Sequence, residues 1–216
     1  MNNYSTIIFD LDGTLLDTLQ DLHTAVNYAL AAHHFPQRSL AEVRSFLGNG
    51  VGYLVQKCLP EDTSAEVYEQ VLETFRPYYF AHSMDQTKPY DGVLDAIAAL
   101  KAKGKRMGIV SNKPDEAVQD LHKLYFAPAG VDVAVGESPS VRRKPDPAGV
   151  FAAIARLGAE PSEAVYVGDS EVDLETARRA GLPCIAVAWG FRDVDFLSQA
   201  GAGTIISHPR ELLQLL

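Results

Sequence analysis

The sequence predicts an α/β fold, a parallel sheet with helices on both faces, and a small helical domain inserted after the first strand. Three observations predict it. Short apolar runs rich in β-branched residues alternate with segments of helical spacing along most of the chain. One stretch, residues 18–82, breaks the alternation and carries helical patterns only. The 216 residues are 47% hydrophobic and 22% charged, a globular balance with enough chain to bury a core.

The elements follow in order. Thr6–Phe9 is apolar throughout and reads as a buried strand. In the insert, Leu22, Ala25, Val26, Ala29 and Leu30 form one apolar stripe. Leu40, Val43 and Leu47 form another, with Ser39 as N-cap and Glu42 completing a capping box. Residues 51–59 and 65–80 supply two more helices, and residues 89–92 read as the return link. The domains are therefore expected to be a core of residues 1–17 and 85–216 and a helical insert of residues 18–84. In the core, 107–110, 131–135, 164–167, 185–188 and 204–206 read as strands. Residues 114–125 and 147–157 each begin with proline at a first helical position. Residues 172–180 are stopped by Gly181 and Pro183.

Charge and cysteine content remove several classes of function. Nineteen Lys and Arg against 28 Asp and Glu give a net charge of −9, poorly suited to a nucleic-acid backbone or an anionic membrane. Cys58 and Cys184 lie far apart and form no CxxC, which opposes a disulfide framework or structural zinc. The opening Met-Asn-Asn-Tyr-Ser lacks the basic and apolar regions of a signal peptide. No apolar run approaches the roughly 20 residues of a membrane span. The expectation is a soluble cytoplasmic protein acting on a small molecule, with no nucleic-acid or membrane partner.

Chemistry concentrates where strands end. The first strand releases Asp10 and Asp12, which alternation sends to one side at the carboxyl end, where open parallel sheets bind ligands. Asp12-Gly13 reads equally as a turn. The strand 164–167 runs into Gly168-Asp169-Ser170-Glu171-Val172-Asp173, with Asp169 at its end and Asp173 four residues on. The plainer alternative is an N-cap Asp169 and a solvated Asp173. Carboxylates gathered from two strands repel unless a cation joins them, and oxygen-only ligands suit a hard ion such as Mg²⁺. A third strand ends in Ser111-Asn112-Lys113, where a hydroxyl and free N–H groups suit an anionic oxygen. The basic run Arg142-Arg143-Lys144 precedes Pro145, which stiffens the chain at Lys144.

These four segments, Asp10-Leu11-Asp12-Gly13-Thr14, Ser111, Lys144 in Lys-Pro-Asp-Pro, and Gly168 to Asp173, resemble in kind and order the motifs of the haloacid dehalogenase superfamily of phosphohydrolases. The resemblance covers nearly the whole chain. It implies a Rossmann-like core, a helical cap formed by the insert, and a Mg²⁺-dependent phosphatase. It implies that Asp10 is the nucleophile and Asp12 the acid and base. The metal would be held by Asp10, the Asp12 carbonyl and Asp169, with Asp173 one layer behind. Ser111 and Lys144 would hold the phosphoryl oxygens, with Asn112 beside them as a substrate contact.

Residues 17–22 and 47–52 also resemble those of bacterial phosphoglycolate phosphatases, pointing to 2-phosphoglycolate. Gly48, Asn49 and Gly50 then read either as a turn between cap helices or as a loop offering N–H groups to the substrate's anionic end. A sugar phosphomutase or a pyrophosphatase of the same superfamily is the alternative. Such mutases carry a histidine twelve residues after the nucleophile, where this chain has Leu22, with His23 one place off. A dehalogenase is opposed by Asp12 and Asp169. Oligomeric state is not legible.

Overall fold

The computed structural model describes residues 4–216. In chain order the elements are β1 (Thr6–Phe9), β2 (Leu16–Asp17), α1 (Leu19–Ala32), α2 (Leu40–Phe46), α3 (Val51–Cys58) and α4 (Ala65–His82). There follow β3 (Lys88–Pro89), α5 (Val93–Ala102), β4 (Arg106–Pro114), α6 (Asp115–Leu121), β5 (Val133–Glu137) and α7 (Ala148–Arg156). The chain ends with β6 (Ala164–Gly168), α8 (Glu171–Ala180), β7 (Cys184–Val187), α9 (Val194–Gln199), β8 (Ile205–Ile206) and α10 (Leu212–Leu215). It divides into two compact units, one running up to Leu16 and resuming over Pro89–Leu216, the other Asp17–Lys88.

The larger unit is built on a parallel sheet in the order β5-β4-β1-β6-β7-β8. β1 lies in the middle, with Phe9 opposite Ile109 of β4 and Val167 of β6. Both faces of a parallel sheet carry helices, so its strands bury every side chain. Ile7, Ile8 and Phe9 are all fully buried. Alternation divides them: Ile7 and Phe9 join a layer with Val93, Ile97, Leu100, Val118 and Leu121 of α5 and α6. Ile8 joins the opposite layer with Val150, Ile154 and Ala177 of α7 and α8. The carboxyl ends of β1, β4 and β6 are thereby fixed side by side.

The smaller unit is helical. Ser39 caps α2, accepting from the Glu42 N–H while the Glu42 carboxylate accepts from the Ser39 N–H at 2.8 Å. Tyr28 of α1 stacks on Tyr78 of α4 with ring centroids 3.9 Å apart. The carboxylate of Asp21, buried in the first turn of α1, accepts N–H bonds from Gln86 (3.0 and 3.1 Å) and Thr87 (2.9 Å). That contact ties the end of the unit to its beginning. Cys58 and Cys184 are free thiols. Among the described residues no helix is long and apolar enough to cross a membrane.

Candidate active site

The last ladder bond of β1 runs from the Asp10 N–H to the Val167 carbonyl at 2.9 Å, and the chain then coils over Leu11. The N–H groups of Leu15 and Leu16 both donate to the Leu11 carbonyl at 2.9 Å, and Leu11 itself is fully buried. Gly13 takes φ +89°, and a Cβ there would lie 2.4 Å from Asp169 Oδ2. The glycine is what allows the loop after β1 to touch the loop after β6.

The acidic nest assembles from three elements. Asp10 follows β1, Asp169 follows β6, and Asp173 lies in the first turn of α8; each offers a carboxylate oxygen within 4.8 Å of the others. All three side chains are buried. The carboxylate of Asp12 is not part of this group. Lys144 lies beside the nest, its ammonium donating to Asp10 Oδ1 at 2.6 Å, Asp173 Oδ1 at 2.8 Å and the Tyr166 hydroxyl at 3.2 Å. Asp173 Oδ2 accepts from the Ser170 hydroxyl at 2.8 Å and from the N–H groups of Asp169 and Ser170. Asp173 is thus the capping-box acid of α8 and the anchor of Lys144 at once. Gly168 makes this possible, since a Cβ there would meet the Asp173 side chain at 2.4 Å.

Asp169 is held from two sides. Its Oδ1 accepts from the Thr14 hydroxyl at 3.3 Å and its Oδ2 from the Phe191 N–H at 2.7 Å. The neighbouring Trp189 indole donates to the Thr14 carbonyl at 2.9 Å, locking the loop after β7 against the loop after β1.

Burial, then the charge of Asp173, pushes the Asp169 carboxyl up to about 7. Burial, then Asp173, holds the Asp10 carboxyl well above the usual aspartate range against the pull of Lys144. Burial works against the Lys144 ammonium, but Asp10 and Asp173 outweigh it and hold its pKa well above the ordinary lysine value. A nest of three buried carboxylates facing one lysine is short of positive charge. Its all-oxygen donors fit a hard divalent cation.

Ser111 and Asn112 stand on β4 beyond Val110, where the pairing with β5 shifts register before Pro114. The Ser111 Oγ accepts the Lys113 N–H at 3.1 Å, so its own hydrogen points elsewhere, available to an anionic oxygen. Asn112 clamps the Lys144 backbone, its carbonyl oxygen accepting the Lys144 N–H at 2.7 Å and its amide donating to the Lys144 carbonyl at 3.2 Å. Asn112, expected as a substrate contact, thus also supports Lys144. The Lys144–Pro145 peptide is cis.

Gly48, Asn49 and Gly50 lie in the helical unit between α2 and α3, with Gly48 at φ +111° and Gly50, the N-cap of α3, at φ +81°. Sequence reasoning gave no task to Tyr166, Thr14, Lys113 or the residues 189–191. The signals were a hydroxyl inside an apolar strand, a lysine directly after Ser111-Asn112, and a Trp-Gly-Phe run after a strand end.

Three buried carboxylates and a buried lysine at the carboxyl ends of parallel strands form a centre that can hold a hard cation and an anionic phosphoryl group. The family model for haloacid dehalogenase-like hydrolases matches residues 7–187, and the chain belongs to that family. A phosphoglycolate phosphatase of Cereibacter sphaeroides is 38% identical over 213 residues, covering 97% of this chain and 96% of that one. An N-acetylmuramic acid 6-phosphate phosphatase of Pseudomonas aeruginosa is 31% identical over 211 residues, covering 97% and 93%. A solved structure from Lactobacillus delbrueckii subsp. bulgaricus superposes with a TM-score of 0.93 at 37% identity, covering 99% and 98%. The protein is a phosphatase, a phosphoric monoester hydrolase of this family.

Proposed function

We propose that this phosphatase hydrolyses 2-phosphoglycolate in the cytoplasm, with Mg²⁺, through a phosphoryl group carried transiently on Asp10. The observation that supports the reaction best is the buried Asp10–Lys144 pair at 2.6 Å inside the carboxylate nest. The substrate rests on the relative from Cereibacter sphaeroides. The residues fit Mg²⁺ through Asp10 and Asp169, with the Asp12 carbonyl as a further oxygen and Asp173 behind them holding Lys144. When bound, the ion neutralises phosphoryl charge that would otherwise repel an anionic nucleophile.

The chain's own residues carry the steps. An Asp10 oxygen attacks phosphorus and the ester P–O bond breaks, while Asp12 gives its proton to the departing alkoxide. Lys144 and the Ser111 hydroxyl hold the phosphoryl oxygens, and Asn112 and Asp173 fix Lys144. A water then attacks phosphorus, Asp12 takes its proton, and the P–O bond to Asp10 breaks to release phosphate, restoring the Asp10 carboxylate and the protonated Asp12. Gly48, Asn49 and Gly50 are assigned to recognition of the substrate's anionic end.

A hydrolase is favoured over a mutase by His23, whose Nε2 lies 3.1 Å from the Arg38 carbonyl and 3.0 Å from the Asn27 amide, within the helical unit. The test is phosphate release from 2-phosphoglycolate, N-acetylmuramic acid 6-phosphate, glucose phosphates and pyrophosphate. The highest kcat/KM is expected with 2-phosphoglycolate, and loss of activity by several orders of magnitude is expected in Asp10→Asn. A higher value for any other ester removes the substrate. Near-normal turnover in Asp10→Asn removes the nucleophile.

A further inference from the structure

Two lysines are buried at the carboxyl ends of the core strands, and they serve different carboxylates. Lys144 binds Asp10 and Asp173. Lys113 binds Asp12, its ammonium 3.1 Å from Asp12 Oδ1. The mechanism above gives Lys113 no part. We propose that Lys113 is a positioning residue that aims Asp12 at the leaving oxygen, an inference that rests on the assignment of Asp12 as the acid.

The geometry sets up this role from the backbone outward. The Lys113 N–H is fixed on Ser111 Oγ, and its carbonyl packs where a Cβ on Gly136 would come within 2.8 Å. The next strand contact, Pro114 opposite Glu137, closes the register shift of β4. Asp115 adds an anchor, its Oδ1 accepting the Gly136 N–H at 2.7 Å. The lysine side chain therefore starts from a rigid point, and it is only 4% exposed.

Asp12 is different. It stands on the loop after β1 with its side chain 22% exposed, outside the nest that fixes Asp10, Asp169 and Asp173. Among the described residues Lys113 is the side-chain hydrogen-bond partner of its carboxylate. A half-open carboxylate has several rotamers, and only one carries a proton to the leaving oxygen. Lys113 selects it by holding Oδ1, which leaves Oδ2 for the proton. Its charge also stabilises the carboxylate that Asp12 becomes once its proton has passed to the leaving oxygen.

The consequence is specific to the proton-transfer step. Breaking the bond to a basic oxygen needs the proton, and breaking the bond to a nitrophenolate scarcely does. Phenyl and 4-nitrophenyl phosphate have the same charge at phosphorus and nearly the same shape, so comparing them isolates leaving-group basicity. The quantity to measure is kcat/KM, which covers the steps through the first P–O cleavage. Lys113→Met is expected to lose about 10–100-fold on phenyl phosphate, part of the usual yield of general acid catalysis, and at most about 3-fold on 4-nitrophenyl phosphate. Lys113→Arg, which keeps the charge, is expected to recover part of the loss. On an Asp12→Asn background the same Lys113→Met change is expected to add nothing.

Equal losses on both esters, as a folding defect or a lost substrate contact would give, overturn the proposal, as does a further loss on the Asp12→Asn background. If Asp12→Asn itself shows no selective loss on phenyl phosphate, the assignment of Asp12 falls and the role of Lys113 falls with it. A selective loss in Asp12→Asn without one in Lys113→Met overturns Lys113 alone.

Discussion

At the residue scale, the site depends on a glycine that no motif announces. Gly190 lies in the loop after β7, and a Cβ there would lie 2.2 Å from the Gly13 carbonyl oxygen and 2.5 Å from Asp169 Oδ2. Those neighbours cannot yield cheaply, because one is backbone and the other already holds the Phe191 N–H at 2.7 Å. Gly190→Ala is therefore expected to push Asp169 out of line and weaken Mg²⁺ binding by about 10–100-fold, the usual effect of disturbing a metal's supporting shell. Titration calorimetry with Mg²⁺ measures it, and an unchanged affinity refutes the role. This residue also marks the limit of what was legible. Asp10, Asp12, Ser111, Lys144, Asp169 and Asp173 stand in short runs at strand ends, where sequence alone gives both chemistry and place. Gly190 and Lys113 gain their meaning from contacts with residues 21 and 101 positions away in the chain, Asp169 and Asp12, which spacing does not encode.

At the element scale, the helical unit closes on one carboxylate. Asp21 sits one place before the apolar stripe of α1, where a sequence reader sees a helix-start acid. In the structure it is 4% exposed and receives the N–H groups of Gln86 and Thr87. Asp21→Ala removes the acceptor of the buried Thr87 N–H and of the part-buried Gln86 N–H and is expected to cost about 1–3 kcal/mol, the cost of one buried unsatisfied group. Asp21→Asn, which keeps an acceptor, is expected to cost about half as much. Thermal unfolding with hydrogen exchange at residues 86 and 87 reports it, and a change below about 0.5 kcal/mol in Asp21→Ala excludes the closing role. The central strands were readable for a simple reason, since a sheet buried on both faces demands unbroken apolar runs. Strand ends were less so. β4 continues through Ser111-Asn112-Lys113 to Pro114, and β5 spans Val133–Glu137 rather than 131–135. Pairing across a register shift leaves no hydropathy signal. α5 went unassigned beside the link at 89–92, although Val93, Ala96, Ile97 and Leu100 form its buried stripe.

At the scale of the whole molecule, the nest ties stability to pH and to the cation. In the unfolded chain Asp10 and Asp169 titrate near 3.8, the ordinary aspartate value. Folding raises both, Asp169 to about 7 and Asp10 in the same direction, burial being the first cause and Asp173 the second. The metal-free folded state therefore holds more protons than the unfolded one above about pH 4. The favourable contribution of these two groups is complete below that pH and is lost as pH rises through about 7. Lys144 does not reverse this, because its pKa is raised above 10.5 and its contribution fades only in strongly alkaline solution. A divalent cation held by the nest would bind the ionised carboxylates, so protons would compete with it below about pH 7. Mg²⁺ should thus stabilise little at pH 5 and strongly at pH 8, where the nest is short of positive charge. At one hundred times its dissociation constant the gain is about 2.7 kcal/mol. For a chain of this size that raises Tm by about 5–10 °C. Melting curves with and without Mg²⁺ at pH 5, 6.5 and 8 test this, and Asp169→Asn is expected to abolish most of the shift. An equal shift at pH 5 and pH 8, or one that survives Asp169→Asn, would place the cation somewhere other than the nest.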